Sequence, residues 1–233
     1  MNLADDAEKA AKYEGYADSY YSKQNIVFLN LGVDFSEKTF KDGLADGFRY
    51  MTKHEGPYLV HCTEGKDRAG YVSALLECFM GATYDEVVED YMKTYVNYYG
   101  VEKGTEKYDA IANSNIIKSL KKAFGVDDLS KANLVACATA YMKEIGLTDA
   151  EIAKLHENLG WKNPFGDVAE DAWYRDYVME AYYSGIINGV SPTEFEPEEN
   201  LTRAHLITMV YRMAGEPTVE ATTTKFTDVK ENS

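Results

Sequence analysis

The chain has 233 residues, 45% apolar and 27% charged, enough for one or two domains with a real hydrophobic core and unlike a disordered tail. Its 39 acidic and 24 basic residues give a formal charge of -15, which excludes nucleic acid as the main partner, because phosphate-backbone binding needs a basic surface. No apolar run reaches membrane-spanning length, the first residues lack the basic and apolar regions of a signal peptide, and Cys62, Cys78 and Cys137 form neither a disulfide framework nor a zinc spacing.

In chain order, Met1-Asn2-Leu3 reads as the tail of a strand, followed by a helical stretch from about Asp5. The apolar run within Gln24 to Val33 predicts a strand that leads into a loop at Gly32 to Ser36. Phe40, Leu44, Phe48 and Met51 share one side of a helix that the Gly56-Pro57 pair ends. Tyr58-Leu59-Val60 then predicts a short buried strand, and Gly70 to Met80 a helix stopped by Gly81. Thr83 with Glu86 makes a capping box for a helix reaching about Tyr99. Further helices are expected over Ile111 to Phe124, over Lys131 to Ile145, and from the Thr148 and Glu151 capping box to about Leu159.

Composition shifts at Trp161-Lys162-Asn163-Pro164. Beyond it come Phe165-Gly166-Asp167-Val168, a helix ending near Tyr183, a turn-rich stretch over Ser191 to Asn200, and a helix from Thr202 to Met213. Phe226-Thr227-Asp228-Val229 repeats the Phe-x-Asp-Val opening and predicts the start of a second copy.

The chemistry concentrates at His61-Cys62-Thr63-Glu64-Gly65-Lys66-Asp67-Arg68-Ala69-Gly70. Between a buried strand and a helix, such a loop can turn its backbone N–H groups inward and bind a phosphate-like dianion at the helix N-terminus. That field favours a Cys62 thiolate, and the Arg68 fork can clamp two phosphoryl oxygens.

This stretch resembles the Cys-x5-Arg signature of the protein tyrosine phosphatase superfamily, and Gly-Lys-Asp-Arg resembles its bacterial branch that also acts on phosphoinositides. The resemblance implies an α/β fold, a mostly parallel sheet flanked by helices, apparently missing its N-terminal strands, over residues 1–160. It implies a cysteine-dependent phosphomonoesterase acting on phosphotyrosine, phosphoinositide-type or other small phosphate substrates through a cysteinyl-phosphate. Cys62 would attack phosphorus, Arg68 would hold the transferring group, and His61 would orient the thiolate. Asp67 or Asp34 would protonate the leaving group, and residues Thr63, Glu64, Gly65, Lys66, Asp67 and Arg68 would form the phosphate-binding loop. Ala69 departs from the serine or threonine common at that position, which implies slow hydrolysis of the phosphoenzyme. The alternative is a catalytically impaired phosphatase-like protein that binds phosphate or cell-wall glycan. No metal or cofactor is implied.

Phe165-x-Asp-Val, Trp173, Gly185-Ile186-Ile187-x-Gly189, Phe195-x-Pro197 and Leu201-Thr202-Arg203-Ala204 resemble the S-layer homology module, a small all-α unit over residues 163–215. Residues 216–233 would be a linker and the start of a second module. The resemblance implies secondary cell-wall polysaccharide as a partner, Trp173 packing on sugar and Arg203 pairing with an acidic substituent. The full-length protein would be extracellular and wall-associated, its signal peptide lying outside this chain.

Overall fold

The computed structural model describes residues 1–161, 163–191 and 193–218. The chain divides into two units, one over Met1–Asn163 and one from Pro164 onward. The expected second opening at Phe226-Thr227-Asp228-Val229 lies outside the described residues.

The first unit is built from helices. In order they are α1 (Ala7–Ala10), α2 (Lys38–Thr52), α3 (Arg68–Phe79), α4 (Tyr84–Tyr99), α5 (Glu106–Ala112), α6 (Asn115–Phe124), α7 (Leu134–Glu144) and α8 (Asp149–Leu159). Both capping boxes form as spaced: Thr83 with Glu86 starts α4, and Thr148 with Glu151 starts α8. The single helix expected over 111–124 is instead two. Thr105 caps α5, and the chain breaks at Asn113 and Ser114 before α6. Likewise α7 starts three residues later than expected, after a 3₁₀ turn over Leu129–Lys131, with Asn133 capping it.

Helix α3 lies at the centre, packed against α4, α6 and α7, while α2 packs on α8. Tyr71, Val72, Leu75 and Phe79 of α3 are fully enclosed, as are Phe40, Leu44, Phe48 and Met51 on one face of α2. Burying each of the Val, Leu, Phe and Met side chains among these stabilises the fold by about 1.5–3 kcal/mol. Polar ties add direction: the Arg49 guanidinium on α2 donates to the Gly146 carbonyl at 2.6 Å and pairs with Glu151 at 3.2 Å.

The expected parallel sheet is not there, and the α/β fold class is corrected accordingly. Among the described residues no β-strand forms. Extended backbone around Asn2, Phe28 and His61 meets only through two single parallel bridges, Asn2 with Phe28 and Asn2 with His61. Five backbone bonds of 2.8–3.1 Å join these pieces, including Leu31 N–H to the Leu3 carbonyl and Leu3 N–H to the His61 carbonyl. The pairing stops because the backbone turns away at once. The Asn2 side-chain oxygen accepts from the Ala4 and Asp5 N–H groups, folding the chain toward α1. Asn30 takes a left-handed φ of 45°, which ends extension in the second piece. A ladder needs consecutive extended pairs, and these segments supply too few.

The second unit contains α9 (Arg175–Tyr183) and α10 (Arg203–Met213). Phe165, Val168, Val178 and Ile187 form its core, with Tyr182, Phe195 and Met209 packed around them.

Candidate functional site

The stretch from His61 to Gly70 runs from a single bridge residue into α3. Gly65 takes a φ of 73°, a left-handed turn that glycine accommodates without strain. Asp67 precedes α3 but its side chain makes no cap bond. Cys62 is half-buried and packs against the main core. His61 Nε2 lies 2.6 Å from the Tyr21 hydroxyl, with the rings edge to face at 5.3 Å. Burial raises the Tyr21 phenol above its ordinary value, so it stays protonated.

The cations of the loop are engaged by the protein itself. Arg68 donates through Nη1 to the Leu31 carbonyl at 2.9 Å and to the Leu3 carbonyl at 3.5 Å, and through Nη2 to Thr63 Oγ1 at 3.1 Å. Lys66 bonds to Glu64 at 3.3 Å and stands 3.7 Å from Asp67. The Glu64 bond, the larger cause, raises Lys66 above its ordinary value. Its ammonium also sits 5.8 Å over the Tyr99 ring.

Asp34 accepts from the Ser36 hydroxyl at 2.7 Å and the Ser36 N–H at 2.9 Å. Those bonds hold its carboxyl below the usual range, so near neutral pH it is a carboxylate and not a proton donor. Asp34 and Asp67 do share a cleft with Lys122 and Ser119, but Cys62 is not among its lining residues.

These observations correct the enzymatic expectation. A cysteinyl-phosphate mechanism needs a sheet-borne loop with a guanidinium turned to the phosphoryl group, and here no sheet forms among the described residues and Arg68 is engaged by two backbone carbonyls and the Thr63 hydroxyl. The arrangement argues against a protein tyrosine phosphatase-like phosphomonoesterase, and against phosphotyrosine, phosphoinositide or other small phosphates as substrates. Among the described residues no group of three or more His, Cys, Asp or Glu side chains is placed to hold a metal ion, and no helix is long and apolar enough to cross a membrane.

In the second unit, the Asp167 carboxylate accepts from the N–H groups of Phe195 at 2.9 Å and Glu196 at 2.7 Å. Those bonds hold it below the usual carboxylate range. They close the loop over the core, so the Phe-x-Asp-Val opening supplies two buried side chains and one loop clasp. Gly189, at φ 73°, lies where a Cβ would meet Phe165 Cε1 at 2.5 Å and the Glu194 carbonyl at 2.6 Å. Trp173 is 83% exposed, edge-on to Tyr174 at 5.5 Å, with exposed Tyr177 one turn along. Arg203 is exposed at the first position of α10, where Thr202 caps the His205 N–H at 3.1 Å. Sequence reasoning missed Tyr21 and Tyr177, and only their exposure and partners mark them.

Residues 4–160 match the family model described as the tyrosine phosphatase family, and residues 164–207 match the S-layer homology domain. Among curated proteins, the chain is 42% identical over 55 residues to a surface-layer 125 kDa protein of Lysinibacillus sphaericus, covering 22% of this chain and 5% of that protein. It is 44% identical over 52 residues to a cell surface protein of Thermoanaerobacter kivui, covering 22% of this chain and 7% of that one. An endoglucanase of Bacillus sp. (strain KSM-635) is 36% identical over 52 residues, covering 22% of this chain and 6% of the relative. The chain thus spans only a small fraction of the length of the curated relatives it matches. No solved structure matches it.

Proposed function

The chain belongs to the tyrosine phosphatase family, and from that premise we propose that it works as a wall-associated binding protein and not as a turnover enzyme. Its second unit holds secondary cell-wall polysaccharide. The observation that carries this reading is the exposed Trp173 ring in the part of the chain that matches the S-layer homology domain. An aromatic face packs on the apolar side of a sugar ring, and a guanidinium at Arg203 reads an acidic substituent by paired hydrogen bonds. An extracellular, cell-wall-associated location for the full-length protein is supported by that match and by surface proteins among its relatives. The first unit, Met1–Asn163, is then cargo displayed at the wall.

Co-sedimentation of the chain with purified Gram-positive cell walls tests this, using walls with and without their secondary polysaccharide. The chain is expected to pellet only with intact walls, and Trp173→Ala to reduce the bound fraction at least five-fold with an unchanged circular dichroism spectrum. Equal pelleting of the chain and Trp173→Ala, or of both wall preparations, would sink the reading.

A further inference from the structure

We propose that the cleft beside α6 is a binding site for a small zwitterion: a free amino acid or short peptide carrying one ammonium and one carboxylate. The cleft has a volume of about 640 Å³, within the range of small-ligand sites. Its walls carry both signs of charge. Asp34 and Asp67 stand on loops, Lys122 stands on α6, and Val33 and Phe35 supply apolar surface. Lys41 and Glu144 also line it but satisfy each other at 2.6 Å.

Lys122 acts electrostatically on Asp34, yet among the described residues no ion pair joins them. Asp34 is kept anionic chiefly by the Ser36 hydroxyl, and Ser36 also lines the cleft. Asp67 already faces Lys66 at 3.7 Å, but Asp34 and Lys122 share the cleft without meeting, and one ligand bearing both charges satisfies them together. A simple anion would instead meet Asp34 and Asp67, and a simple cation would meet Lys122. Charge-assisted contacts at the two ends of a dipeptide, with its side chains over Val33 and Phe35, use both signs of charge and the apolar wall. The site lies entirely within the first unit and does not depend on wall binding.

Calorimetric titration of the full chain with alanyl-alanine, its N-acetyl form and its C-terminal amide provides the test. Saturable binding of the free dipeptide is expected, each blocked form binding about ten-fold more weakly, the loss of one charge-assisted contact. Asp34→Asn should bind the free and N-acetyl forms alike, and Lys122→Gln the free and amide forms alike. Both side chains are exposed, so neither change threatens the core. No saturable binding of alanyl-alanine, or equal binding of all three probes, overturns the proposal.

Discussion

His156 makes the first unit sensitive to mild acid by an amount that can be worked out. Its ring is buried between Phe79 and Trp161, stacked at centroid distances of 3.6 and 3.4 Å, and Nε2 lies 3.2 Å from the Phe79 carbonyl. Burial, the larger cause, pushes it from 6.5 down to about 4, while the bond to Phe79 opposes that shift. Because the folded value is depressed, the neutral ring's stabilisation is complete above the unfolded value of 6.5 and is lost as pH falls toward 4. The full difference corresponds to about 3 kcal/mol, of which about 2 kcal/mol is lost by about pH 5. That is a large part of the stability of an ordinary domain. Urea unfolding of the chain and of His156→Gln, at steps between about pH 7.5 and 4.5, isolates the effect as the difference between the two curves. The chain is expected to lose about 2 kcal/mol relative to the variant by about pH 5. A histidine resonance of the folded protein assigned to His156 that titrates near 6.5, or parallel pH curves, would refute the reasoning.

Glu77 works in the opposite direction. Burial first, and then Asp90, push its carboxyl up to about 8, so the stabilisation it contributes when protonated is lost as pH rises from 4.5 to 8. Glu77→Gln should therefore flatten the stability decline over that range, and an unchanged slope in urea titrations would contradict it. Gly189→Ala should cost about 2 kcal/mol or more, from a left-handed backbone and from overpacking against Phe165 and the Glu194 carbonyl. It should lower the melting transition of the second unit, and wild-type melting would contradict the geometry. With an aryl phosphate under reducing conditions, the chain should give neither a burst nor sustained release. Turnover abolished by Cys62→Ser would restore the enzymatic reading.

Local signals were legible and distant ones were not. The Thr83 and Thr148 capping boxes, and the shared face of Phe40, Leu44, Phe48 and Met51, follow from spacings of three and four residues, which a helix enforces by itself. The apolar run around Phe28 reads as a strand from its side chains. Whether it becomes one depends on Asn30 turning left-handed and on the Asn2 side chain closing the first segment. The Cys-x5-Arg spacing put Arg68 in a loop before a helix expected from Gly70, whereas α3 starts at Arg68 itself; what the guanidinium holds was not legible, because its carbonyl partners are 37 and 65 residues away. In the second unit the motif Phe165-x-Asp167-Val168 was legible as an opening, but the burial of Phe165 and Val168 and the Asp167 clasp on Phe195 and Glu196, 28 and 29 residues away, were not. The exposure of Trp173 is likewise a property of the folded unit, since tryptophan is as much at home in a core as on a rim.

Arg68 has a consequence for how variants of this chain are to be interpreted. One guanidinium ties two stretches remote in sequence, at Leu3 and Leu31, and the neighbouring Thr63 to the first turn of α3. Replacing it by alanine removes a strut from the framework, so silence in an assay would report a loosened scaffold as readily as a missing reagent. Cys62→Ser, which changes a single atom, is the substitution that separates chemistry from architecture here.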